Sequence, residues 1–141
     1  MPRRSDARRV VLQMLYLIDQ NPDADVRRVR ESIEEELKRD DLVDFAWAVF
    51  LGVRDRREDL DQRIRKAAHN WRIERMAPTD RNIIRMGIYE IEFVQTPAPV
   101  VLNEMIELAR EFGTENSPAF VNGILDRLNS DRGETNDSEN S

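Results

Sequence analysis

The chain has 141 residues, no cysteine and a formal net charge of -6. That length suits one domain with its own core, and the lack of cysteine excludes a disulfide scaffold, a thiol nucleophile and a cysteine metal site. No apolar run approaches the roughly 20 residues that span a bilayer and the start does not read as a signal peptide, so a soluble, cytoplasmic protein without membrane contact is expected.

The first element is a helix opened by "RRSDARRVVLQMLY", residues 3–16, which packs four arginines into seven residues of an acidic chain. Cations are unfavourable at a helix start, where the backbone N–H groups already carry partial positive charge, so something outside the helix is expected to use them. Ala7, Val11, Met14, Leu15 and Ile18 form its apolar stripe. After a turn at Asn21-Pro22, a second stripe follows at Val26, Val29, Ile33 and Leu37. A longer helical segment begins near Asp41 and carries Leu42, Phe45, Ala46, Val49, Val53, Leu60, Ile64 and Ala67 towards Trp71, with Gly52 in its middle. Pro78 opens a helix with Ile84, Ile88 and Ile91 at i, i+4 and i+7. Pro99 opens the next, with Val101, Met105, Leu108, Ala109 and Phe112 on one face and Gly113 at the expected left-handed cap. Ser117-Pro118 repeats the start signal before Phe120, Val121, Ile124, Leu125 and Leu128. No run alternates with the period of a strand. The last stretch, "SDRGETNDSENS", has no large apolar residue and sets four acids against one arginine; it reads as a disordered acidic tail over 130–141.

Enzyme constellations are nearly absent. His69 is the single histidine and has no HxxE or HExxH neighbour; glycine-rich phosphate loops and nucleophile elbows are missing. No catalytic residue, metal site or cofactor is expected. The carboxylates crowded into "ESIEEELKRDD" read as a solvated face. Asn103 and Asn122, polar positions inside apolar helices, read as satisfying internal hydrogen bonds.

With Ala7, Val11, Met14 and Ile18 facing the core, the 100° helical step places Arg9, Gln13, Tyr16 and Gln20 on the opposite side, flanked by Arg8 and Leu12. Arginine forks suit phosphate, and a tyrosine ring can stack on an unpaired base. Arg3, Arg4, Arg8 and Arg9 are therefore candidate phosphate contacts of a single-stranded RNA. The alternative from spacing alone is an arginine-rich start that pairs with acids of other helices, or simply a frayed, soluble end.

Four stretches carry a resemblance: "ARRVVLQMLY" (7–16), "MAPTDRNIIRMGIYEI" (76–91), "VVLNEMIELAREFG" (100–113) and "SPAFVNGILDRL" (117–128). In this order they resemble the NusB family of bacterial transcription antitermination factors, across residues 3–129. The resemblance implies an all-α fold of about seven helices in two packed helical subdomains, without catalytic residues or cofactor. It further implies binding to the boxA element of ribosomal RNA leader transcripts together with NusE, a small-subunit ribosomal protein, within the RNA polymerase antitermination complex. Matching positions assign Arg4, Arg8, Gln13 and Tyr16 to the RNA surface, with Asn116, Ala119 and Phe120 completing it. The family pattern often has an acid and a lysine where this chain has Asn116 and Ala119. Glu74 and Asp80 match acids that face NusE.

Other roles stay open for several of these positions. Asp80 suits a helix start, Glu74 can pair with Arg75 or a nearby turn, Tyr16 can cover a helix crossing, and Phe120 can be core. Two alternative functions also remain. One is a homodimer that hides the first helix; the other is the RNA-binding domain of a ribosomal RNA cytosine methyltransferase, for which this chain has no methyl-donor domain.

Overall fold

The computed structural model describes residues 3–69 and 71–140, with side chains described to Asp131. Among the described residues it contains seven α-helices and no strand, and no helix is long and apolar enough to cross a membrane. The chain divides into two compact units, Met1–Arg56 and Arg57–Ser141.

The first unit holds α1 (Arg4–Gln20), α2 (Val26–Leu37) and α3 (Asp40–Asp55). α1 begins because Arg3 is extended and its backbone N–H donates to Asp6 Oδ2 at 2.7 Å, which places an acid in the first turn where the helix dipole favours one. The Asp25 side chain caps α2 by accepting the Arg27 backbone N–H at 2.9 Å. α2 ends on Lys38 in the left-handed region, φ 59°. Val11, Val29, Ile33, Ala46, Val49 and Phe50 are buried at its centre.

Two expectations are corrected here. α1 packs against both α2 and α3, so its covered face is wider than one stripe: Leu12 and Arg8 are buried while Met14 and Ile18 are only partly covered. The long segment expected from Asp41 towards Trp71 is broken at Arg56, whose φ of -106° and ψ of 15° leave the helical region. Neither Gly nor Pro marks that break in the sequence.

The second unit holds α4 (Arg57–Ala67), a short 3-10 turn at Ile73–Arg75, α5 (Pro78–Tyr89), a π-helical turn at Glu90–Val94, α6 (Ala98–Phe112) and α7 (Ser117–Asn140). Pro78 stands in the first turn of α5 and Pro99 in that of α6, where the missing N–H costs nothing. Leu60, Ile64, Ile83, Ile84, Met105, Val121 and Leu125 form the core. α5 and α7 approach closely at Gly87, where an added Cβ would lie 2.8 Å from the Leu125 methyl carbons.

A buried ion pair fastens α4 to α5. The Arg85 guanidinium donates to both Asp61 oxygens, at 2.6 and 2.9 Å, and to Asn82 Oδ1 at 2.9 Å. Charges this deeply buried are tolerated only when paired and hydrogen-bonded.

Gly113 does not form the expected left-handed cap. Its φ of -97° is open to any residue, and it is glycine for space: an added Cβ would lie 2.5 Å from Ser117 Cβ, 2.8 Å from the Ala109 carbonyl oxygen and against Ser117 Oγ. That oxygen accepts the Thr114 N–H at 2.9 Å and closes the α6–α7 turn. Asn103 and Asn122, read as internal hydrogen-bonding positions, are exposed. The α7 backbone is helical to Asn140, into the segment expected as a disordered tail; the side chains from 132 on lie outside the described residues.

Candidate nucleic-acid interface

On α1 the candidate RNA residues separate into two kinds. Arg3, Arg4 and Gln13 are exposed, and Tyr16 keeps 46% of its surface open. Arg9 is half-buried, its guanidinium 2.9 Å from Asp6 Oδ1. Asp6 is held below its ordinary carboxyl pKa, mainly by the Arg3 backbone N–H and further by Arg9. Arg8 is 3% exposed, which corrects its expected place on the outer flank: α3 covers it.

The covering group is Phe45. The Arg4 guanidinium carbon lies 4.5 Å and that of Arg8 5.4 Å from the Phe45 ring centroid. Arginines stack on an aromatic face through its negative quadrupole, so a ring on α3 sets the direction of both side chains. Arg4 offers charge to a ligand, and Arg8 supports the ring that holds Arg4.

In the second unit, Asn116 and Ala119 are exposed at the start of α7, and Phe120 is half-buried. Asn116 contributes its carbonyl, which accepts the Phe120 N–H at 3.1 Å. The Phe120 ring meets Trp71 edge to face, with centroids 5.5 Å apart. The partner candidates diverge. Glu74 is exposed and lies 3.4 Å from Arg65 rather than pairing with Arg75 as the sequence suggested; its own backbone N–H, then Arg65, hold its carboxyl below the ordinary pKa. Asp80 is 8% exposed, and its Oδ1 is buried without a hydrogen-bond partner. It sits in the first turn of α5, so its charge is offset by the helix start instead of being displayed.

Among the described residues no group of His, Cys, Asp or Glu is placed to hold a metal ion. What the two units do display is exposed arginine, amide and aromatic surface, which can grip phosphate and stack on bases.

A NusB family model matches residues 5–130, which covers nearly all of both units. The chain belongs to the NusB family. It is 40% identical over 133 residues to the transcription antitermination protein NusB of Myxococcus xanthus, covering 91% of this chain and 95% of that one. T. maritima NusB superposes with a TM-score of 0.84 at 32% identity, covering 90% of each chain. A NusB structure in complex with NusE and double-stranded RNA superposes with a TM-score of 0.80 at 25% identity, covering 89% of this chain and 94% of that one.

Within this NusB-family chain, two aromatic residues were missed as functional candidates. Phe45 reads in sequence as one more core position of α3; only its partners reveal its use. Trp71 had a usable signal: residues 62–75 carry five cations, Arg63, Arg65, Lys66, Arg72 and Arg75, against the single acid Glu74. That local balance opposes the charge of the whole chain.

Proposed function

We propose that this chain is a transcription antitermination factor that binds boxA RNA of ribosomal RNA leader transcripts together with NusE, and that it acts by binding, not by catalysis, in the cytoplasm. The observation that carries this reading is the exposed surface of α1 in a NusB-family chain, where Arg3 and Arg4 stand open at its start, Gln13 and Tyr16 further along it, and Arg4 is steadied by Phe45. Phosphates position such a strand and bases specify it. Arg9 adds a partly neutralised charge, and Asn116, Ala119 and Phe120 add a second contact region.

The proposed NusE contact rests on Glu74, an exposed acid that complements a basic protein. Asp80, buried in the first turn of α5, is not displayed to a partner and has no direct part in that contact. Residues 1–129 form the binding domain in this reading, and 130–141 an acidic tail whose removal leaves thermal unfolding nearly unchanged.

The test is a titration with boxA RNA, a scrambled RNA of equal length, and NusE. Tighter binding to boxA, strengthened by NusE, supports the reading. Equal binding to both RNAs with no effect of NusE counts against it.

A further inference from the structure

Trp71 leaves 60% of its surface open, an unusual exposure for the largest apolar side chain. It stands at the mouth of a cleft of about 290 Å³ in the second unit, lined by His69, Phe120, Gly123, Ile124 and Arg127 among others. We infer that this cleft is a base-binding site in which an unpaired nucleobase of single-stranded RNA stacks on Trp71. The inference rests on the RNA-binding reading above and adds a site to it.

Three observations select that occupant. The first is the aromatic pair: Phe120 braces the indole from one side, 5.5 Å between centroids at 74°, so Trp71 loses little rotational freedom when a base lands on its open surface. Each stacked base is a π-face that any nucleotide can offer. The second is charge. Of the five cations in residues 62–75, Arg63 and Arg65 pair with acids of the same unit, and Lys66, Arg72 and Arg75 are exposed, a local excess of positive charge that draws a polyanion. The third is Arg127. One of its N–H groups donates to the Ala67 carbonyl at 2.8 Å, which satisfies the end of α4 and pins an exposed guanidinium at the rim; the rest of its donor fork remains to reach a phosphate or a base edge.

Gly123 permits a clean block. A Cβ there would meet nothing within 4 Å, so the backbone has room for a side chain; Gly123→Leu adds bulk to the cleft wall, and Leu is the better helix former.

The experiment uses the full chain with Trp47→Phe, which leaves Trp71 as the only tryptophan of the two. Labelled single-stranded boxA RNA is followed by anisotropy while Trp71 emission is recorded. Stacking predicts that emission is quenched in step with binding. Trp71→Ala and Gly123→Leu should each weaken binding by about tenfold, Trp71→Phe should recover most of it, and the salt dependence should stay unchanged because no charge is removed. Abasic substitution at one RNA position should reproduce the loss. RNA that binds without quenching, and with equal affinity for Trp71→Ala, overturns the base site while leaving the RNA reading intact. Loss of NusE binding in Trp71→Ala with RNA affinity unchanged also overturns it, in favour of a protein partner. If no RNA binds the unaltered chain, both readings fall.

Discussion

The Arg4 guanidinium carbon lies 4.5 Å from the centroid of the Phe45 ring, so a side chain of α3 organises the basic start of α1. Cation–π contacts at such sites contribute about 0.5–1 kcal/mol. Phe45→Leu is therefore expected to weaken RNA binding about two- to fivefold by releasing Arg4. The matching check is urea unfolding, where a swap that keeps most of the apolar volume should cost under about 1.5 kcal/mol. An unchanged RNA affinity would mean that Arg4 binds equally well without the ring.

Arg4 and Arg8 should separate under salt. Arg4 is exposed and Arg8 is 3% exposed. A single-strand phosphate contact contributes about -0.7 to the log–log salt slope, so Arg4→Gln should make that slope shallower by about 0.7. Arg8→Gln should leave the slope nearly unchanged and lower thermal stability instead. Equal slope changes in both variants would place Arg8 on phosphate.

How much of this was legible in the sequence depends on what each residue needs. The helices were legible because their apolar positions recur with the helical period and Pro78, Pro99 and Pro118 stand at their starts. Arg8 was not, since periodicity finds one covered face and α1 is covered from two sides. Gly113 stands at the helix end where its sequence position predicts a glycine, but close approach and not a left-handed φ requires it, and sequence does not separate the two. Among the described residues the left-handed ones are Lys38 and Gln95, neither a glycine. The candidate site was legible only as a list. Which cations lie on a ring, and which acid is buried, are set by contacts distant in sequence, as the Asp61–Arg85 pair is across 24 positions.

That pair gives a stability prediction. Asp61→Ala leaves the Arg85 charge buried without its carboxylate, and breaking a buried pair from one side costs about 3–5 kcal/mol. Chemical unfolding should show a loss of that size. Asp61 is not on the proposed RNA surface, so affinity measured well below the new midpoint should be unchanged. A cost below about 1 kcal/mol would mean that water or another acid replaces Asp61.

Gly113 separates space from backbone conformation. If Ser117 and the Ala109 carbonyl exclude a Cβ, Gly113→Ala and Gly113→Asn should destabilise alike, by about 1–3 kcal/mol. Ser117→Ala should not rescue either one, because Ser117 Cβ and the carbonyl stay in place. Asn tolerates the left-handed region far better than Ala, so a nearly neutral Gly113→Asn beside a costly Gly113→Ala would instead indicate a left-handed glycine.

If this chain reads boxA RNA jointly with NusE, the two ligands are thermodynamically coupled, and that coupling can be measured. RNA affinity is measured with and without saturating NusE, and NusE affinity with and without saturating RNA. Joint binding predicts that each tightens the other by the same factor, because linkage is reciprocal, and that scrambled RNA shows a smaller factor. Glu74→Gln should weaken NusE binding while leaving the affinity of the isolated chain for RNA intact. Mutual displacement of NusE and boxA RNA, or independent binding with a factor of one, would contradict the account.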